Sequence, residues 1–348
     1  MHMADALISP VVGGGMWVAA AGLVSYAAKK VQQDIDEQKV PLMGVLGAFV
    51  FAAQMINFTI PGTGSSGHIG GGILLTVLLG PHAAFLTIAS ILTVQALFFA
   101  DGGLLALGCN IFNMGFLPCY IAYPFIYKPL TGPAPSPGRI MTGSIVAAVA
   151  GLQLGAFSVV LETLFSGISE LPFPTFVLLM QPIHLAIGLF EGIITAAVVT
   201  FIYREAPDIL KNAALNQPIG SIAIKKVLVI FLALAFITGG ALSWFASGNP
   251  DGLEWSISKT NGEEELTATD EIHEFFGQLQ DKFSFLPGYN FKQAATSNQP
   301  VTEKSDSPAE AAWPAVDAGT SAAGITGSLV TLLLAYFIGK GLQVAAKR

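Results

Sequence analysis

The feature that most constrains this chain is its series of long apolar runs, near residues 10–28, 41–57, 82–100, 104–127, 139–165, 175–203, 227–246 and 325–339. A helix needs about 20 mostly apolar residues to cross the hydrocarbon core of a bilayer. Lipid offers no partner to an unpaired backbone amide, so runs of this kind fold as helices. With 53% hydrophobic and 11% charged residues, and a mean hydropathy of +0.63, the sequence predicts an all-α polytopic membrane protein. The opening MHMADALISP lacks a basic stretch ahead of an apolar core, so it is expected to stay on the mature chain.

Cytoplasmic loops retain Lys and Arg, which sets an orientation. Placing Lys29, Lys30, Lys39, Lys128, Arg139, Arg204, Lys211, Lys225, Lys226, Lys340, Lys347 and Arg348 inside leaves Lys259, Lys282, Lys292 and Lys304 outside. An even number of crossings must then separate Lys39 from Lys128, although the long runs between them make three. The stretch 68–79, HIGGGILLTVLL, supplies the fourth as a short segment that breaks at Gly80-Pro81. Seven helices then carry the chain from an extracytoplasmic N-terminus to a cytoplasmic connector at 204–226. Two further helices, 227–246 and 325–339, hold 247–324 outside, and the C-terminus is cytoplasmic. Of the 23 acids, 13 fall between Asp251 and Asp317, so the net charge of −7 describes mainly that outer segment. No nucleic-acid partner is expected. Within the segment, 294–322 reads as a disordered linker and 273–283 as a short amphipathic helix. The run Glu263-Glu264-Glu265 reads as a solvated surface.

This topology brings Met1-His2 and the loop NFTIPGTGSSGH, ending in His68, to one membrane face. A free Met1 amine and the His2 amide nitrogen would close a five-membered chelate ring on a metal ion. The same amide and His2 Nδ1 would close a six-membered ring. His68 would complete a planar set of four nitrogens, a geometry that suits Ni(II) and Cu(II) better than Zn(II), Mg(II) or Ca(II). The amide must lose its proton, so binding should strengthen as pH rises. Taken singly, a histidine at position two is usually an accident and a loop histidine usually a hydrogen-bonding residue. The chain has only five histidines, and two of them meet at one face of a protein poor in ionisable groups.

Longer motifs carry a family resemblance. Met1-His2 with Ala4-Asp5-Ala6-Leu7-Ile8-Ser9-Pro10, and Pro61-Gly62-Thr63-Gly64-Ser65-Ser66-Gly67-His68, resemble the CbiM/NikM family, the substrate-binding components of energy-coupling-factor transporters for cobalt and nickel. So do Gln95 through Gly103, Leu107 through Asn110, Asn113-Met114-Gly115, and His184 through Gly192 as HxxIGxxEG. Pro250-Asp251-Gly252-Leu253-Glu254 is similar to the PDGLE segment of the small auxiliary subunit, here fused to the main one.

The resemblance implies a seven-helix bundle plus two auxiliary helices. It divides the chain into a metal-binding domain (1–203), a connector (204–226) and an auxiliary domain (227–348). It also implies metal held by Met1, His2 and His68, and partners comprising a transmembrane coupling subunit and two ATPases. Ni(II) or Co(II) is then the cargo, with no catalytic cofactor. The PDGLE-type extension and the planar field favour nickel. The chain departs from the family pattern at Ala4-Asp5-Ala6, which bears on how the N-terminal segment turns, and at Cys109, read as a small buried hydrophobe.

Nothing in the sequence supplies the driving force. GxxxxGK[ST] is absent, so ATP must be hydrolysed elsewhere. HExxH is absent too, and four protein nitrogens leave no place for an activated water. A membrane metal sensor and an intramembrane metallohydrolase are the competing readings. His184 and Glu191, two turns apart, share a helix face, with Gly188 between them allowing close helix approach. Metal support, helix–helix hydrogen bonding and partner contact all suit them, and hydrogen bonding is favoured. Asn110 and Asn113 read as interhelical links, His82 as a cytoplasmic interface residue, and His273 as part of the acidic outer segment. Cys109 and Cys119 match no zinc or redox spacing, so no disulfide is expected.

Overall fold

The computed structural model describes residues 2–35, 37–133, 135–219, 224–262, 266–268, 270–292 and 313–347. The protein is a helical membrane bundle with one small hairpin. Helices α1 (Pro10–Asp34) and α2 (Lys39–Gln54) lead to the hairpin of β1 (Phe58–Ile60) and β2 (Ser65–Gly67), paired antiparallel with Thr59 opposite Ser66. Helix α3 (Gly72–Leu79) follows, then α4 (Pro81–Val94), which runs on as a widened π-helical turn over Gln95–Phe99. Next come α5 (Leu107–Ile111), a long π-helical stretch Phe112–Tyr127, and α6 (Lys128–Thr131). Pro118 and Pro124 lie inside that stretch, and their missing N–H groups account for the departure from regular α-helix.

Helices α7 (Pro137–Ser166) and α8 (Phe173–Glu205) form the most extensive helix pair. A methyl group at Gly188 would lie 2.8 Å from the Val149 Cα, and one at Gly192 would lie 2.4 Å from the Ile145 Cα. Small residues there let the two backbones touch, as membrane helices require when hydrophobicity cannot drive their association.

The predicted short segment is an eight-residue helix beginning at Gly72 rather than at His68. Every residue of α3 is buried. At about 1.5 Å per residue it extends only some 12 Å, well short of the hydrocarbon thickness. It is tolerated because protein surrounds it. Gly71 and Gly80 bracket α3 with φ of 75° and 81°, left-handed angles that glycine accepts without strain. They turn the chain into and out of the bundle centre.

Beyond α9 (Pro207–Ala214), α10 (Lys225–Gly240) and α13 (Ala318–Ala346) pack on each other and along α2. Helix α13 starts at Ala318, N-capped by Asp317, so the predicted linker ends earlier than residue 322. Most of that linker, like Glu263-Glu264-Glu265, lies outside the described residues. The outer segment contains α11 (Gly252–Asn261) and α12 (Glu271–Phe283), the latter covering the predicted amphipathic stretch. Five of the described helices are long and apolar enough to cross a membrane. Cys109 and Cys119 are both free and buried.

Candidate metal centre

The hairpin and the N-terminal segment bring His2 and His68 together, as the sequence predicted. Their imidazoles stack with centroids 5.1 Å apart and planes 19° from parallel. Met1, the remaining predicted ligand, lies outside the described residues. Among those described, no cluster of three or more His, Cys, Asp or Glu side chains is spaced to hold a metal ion. A site here would have to draw on backbone nitrogen as well as on the two rings.

A relay of hydrogen bonds sorts the nitrogens of His2. Gln54 Nε2 donates to the Gly70 carbonyl (2.9 Å), and Gln95 Nε2 donates to Gln54 Oε1 (2.9 Å). Gln95 Oε1 is thereby left as an acceptor for His2 Nε2, 3.1 Å away. Because an amide oxygen can only accept, the direction of the relay puts a proton of His2 on Nε2. The other ring nitrogen, Nδ1, faces a carboxylate oxygen, Asp101 Oδ1, at 3.2 Å. At His68, Nδ1 is 3.0 Å from the Ile69 carbonyl and must donate to it, leaving the lone pair on Nε2. A ring N–H tied to a carbonyl or amide oxygen is the usual support of a metal-bound histidine.

Burial lowers the pKa of His2, against the pull of Asp101, and pushes that of His68 down to about 4. Both rings are therefore available as neutral donors near pH 7.

The segment after His2 is pinned from several sides. Met3 N–H donates to Asn110 Oδ1 (2.8 Å), while Asn110 Nδ2 and Gly103 N–H donate to the Met3 carbonyl at 3.2 and 2.9 Å. Asp5 accepts the Ala106 N–H (2.9 Å) at the start of a 3₁₀ turn over Asp5–Leu7, and Ser9 then caps α1. This is how the chain turns where Ala4-Asp5-Ala6 departs from the family pattern. On the other flank, Gly70 and Gly71 N–H donate to Glu191 at 2.6 and 3.1 Å. Glu191 thus fastens the loop that carries His68. Asn110 and Glu191, read from sequence as links between helices, anchor the two histidine-bearing segments instead.

The outer segment closes over this arrangement. In PDGLE, Asp251 Oδ1 accepts from Leu253 and Glu254 N–H, and Glu254 Oε2 accepts from Asp251 N–H, a capping box that starts α11. The Pro250 carbonyl accepts the Ser66 N–H (2.8 Å), two residues before His68. His273, expected on an acidic exterior, is only 6% exposed, and its Nε2 lies 3.0 Å from both the Asp5 and Ile8 carbonyls. Gln280 Nε2 donates to the Ala96 and Gly102 carbonyls, and Tyr289 OH donates to Asp101. Together these residues bound an outward cavity of about 460 Å³ lined by His2, Asp5, Asp101, Asp251, Glu254 and His273.

From the sequence, Gln95 and Asp101 stood out only as part of the Gln95–Gly103 stretch that carries the family resemblance, His273 only as part of the acidic outer segment, and Gln280 only as part of the amphipathic stretch 273–283.

The fold is that of a multi-pass helical membrane protein, with a stacked imidazole pair beside an acidic cavity. Residues 2–209 match the family model described as the cobalt uptake substrate-specific transmembrane region, CbiM, and residues 225–344 match the PDGLE domain. The chain belongs to the CbiM family, a cobalt and nickel transport component and not an enzyme. It is 31% identical to the fused nickel transport protein NikMN of Rhodobacter capsulatus over 72% of this chain and 76% of that one. It is 30% identical to the cobalt transport protein CbiM of Geobacter sulfurreducens over 67% of this chain and 68% of that one. A truncated transition metal transporter solved by crystallography superposes with a TM-score of 0.53 at 29% identity, covering 59% of this chain and 99% of that one.

Proposed function

We propose that this chain captures Ni(II) at the extracytoplasmic face through the Met1 amine, the His2 amide and Nδ1, and His68 Nε2. It then passes the ion inward as the substrate-specific subunit of an ATP-driven transporter. The observation that carries the site is the relay from Gly70 through Gln54 and Gln95 to His2, which engages Nε2 and leaves Nδ1, the ring nitrogen that a chelate through the His2 amide requires, facing only the Asp101 carboxylate. The ring spacing supports it as well. Two imidazoles on adjacent corners of a metal square, each about 2 Å from the ion through nitrogen, have centroids roughly 4.5 Å apart. The observed rings are stacked with their centroids 5.1 Å apart, close to that spacing.

Four planar nitrogens favour d8 nickel, and cobalt is the second reading because the relatives carry both names. No phosphate-binding loop occurs in the sequence. The family resemblance makes a transmembrane coupling subunit and a pair of ATPases the expected partners, with the N-terminus outside and the C-terminus in the cytoplasm. Residues 1–203 would form the metal-binding domain and 227–348 the auxiliary one, joined by the connector 204–226.

Uptake of radioactive nickel by cells carrying this chain with its coupling and ATPase subunits tests the reading. Uptake should fall to background in His68→Ala and equally when the ATPases cannot hydrolyse ATP. Full uptake without ATP hydrolysis would overturn the ATP-driven mechanism.

A further inference from the structure

Beneath His68 lies a second, much smaller cavity of about 10 Å³, lined by Gly67, His68, Met114, His184, Asp251 and Gly252 among others. His2 lines the outer cavity and His68 the inner one, and Asp251 lines both, so the stacked pair lies where the two approach each other. A third void of similar size continues deeper, sharing Gly70, Met114 and Leu152 with the second and adding Asn113 and Glu191. Each has room for about one water molecule. A hydrated divalent ion is excluded, and a bare one fits only if protein groups replace its water.

His184 has the form such a replacement needs. Its ring is 1% exposed, and Nδ1, 2.7 Å from the Met180 carbonyl on its own helix, must donate to it. The lone pair is then on Nε2, which is buried and has no hydrogen-bond partner among the described residues. Cε1, the carbon between the two ring nitrogens, lies 3.2 Å from where a side chain on Gly252, another lining residue, would begin. Leaving a buried nitrogen unpaired costs about 1–3 kcal/mol, and a metal ion would satisfy it. Asn113 Oδ1, in the third void, is likewise buried without a partner.

We infer that His184 Nε2 is a ligand at a second, transient metal position below the outer site, where the ion is received from His68 beside the Met114 thioether and the Asp251 carboxylate. The inference rests on the outer-site reading only for where the ion comes from. The position holds metal weakly because it offers few donors, as a transfer point must, and Asn113 and Glu191 lie next inward. The step is ligand exchange with proton return: Nε2 of His184 enters as the outer nitrogens leave, and the amine and amide of the outer set take back from solvent the protons they lost on loading.

The discriminating variant is His184→Asn, whose amide can keep the bond to the Met180 carbonyl while deleting Nε2. In the full chain it should retain the native melting temperature and native nickel content. Uptake by the assembled transporter should nonetheless fall by about tenfold or more. In a His2→Ala background, Co(II) titration of the purified protein should reveal weak binding through its visible absorption bands, shifted by Met114→Leu and abolished by His184→Asn. Native uptake in His184→Asn would show that only the Met180 bond matters and would overturn the inference. Absence of the Co(II) bands in His2→Ala, or their survival in the double variant, would overturn it too. Failure of the outer reading looks different, since His2→Ala would then load nickel like the native chain.

Discussion

The two nitrogens of His2 are distinguished by their neighbours, and that distinction has measurable consequences. Replacing Gln95 by Leu removes the acceptor of the Nε2 proton at nearly constant volume. Losing such a partner typically costs about 10–100-fold in metal affinity, so nickel titration of Gln95→Leu should show a fall in that range. An unchanged affinity would mean that the relay does not orient the ligand. Burial lowers both imidazole pKa values, His68 to about 4, so neither ring has to shed a proton at pH 7. An amine with an ordinary pKa of about 7.7–8.0 is mostly protonated there, and an amide fully so. Loading should therefore release about two protons per ion and strengthen with rising pH above 6.5. Calorimetry in buffers of different ionisation enthalpy reads that number, and a value near zero would deny the amide a place among the ligands. His2 and His68 were legible in the sequence because imidazole is scarce in this chain and the charge pattern put both on one face. Gln95 and Asn110 were not. An uncharged amide in an apolar run reads as a helix link until the fold shows which backbone it meets.

Among the elements, the long helices could be read from apolar length alone, since lipid leaves few alternatives. Helix α3 was legible only as an anomaly of charge parity. Its buried position depends on packing that eight residues do not encode. The π-helical stretch Phe112–Tyr127 was hidden for a related reason: Pro118 and Pro124 announce a disturbance, but not which hydrogen bonds rearrange. The PDGLE motif acquires a physical meaning here, as a helix start that docks beside the loop of His68. The contact of α7 with α8 is the most exposed to substitution. Gly192→Val would place a branched side chain against the Ile145 backbone, where even a methyl group lies at 2.4 Å. Overpacking of this kind costs about 1–3 kcal/mol. Thermal unfolding in detergent should show a lower melting temperature, whereas an unchanged one would mean that the helices part without penalty.

At the scale of the whole molecule, the segment holding α11 and α12 is fastened to the half that carries His2 and His68. His273 reaches the carbonyls of Asp5 and Ile8, and Gln280 those of Ala96 and Gly102. The Lys and Arg pattern predicts that this segment lies on the extracytoplasmic side, but not that it folds back, because acidic, polar composition resembles a solvated loop. His273→Ala should loosen the N-terminal turn and speed the loss of bound nickel to a chelator several-fold, with the helical bundle intact. Equal release rates would remove this segment from the retention of metal. The central claim is that the N-terminus itself is the chelate. Its most direct test is the metal content, by mass spectrometry, of the protein purified from membranes with its native N-terminus, beside His2→Ala and a form extended by one residue before Met1. Near-stoichiometric nickel or cobalt in the native form, lost in both variants, is the result expected. Equal metal in all three, or none in any, would contradict the account.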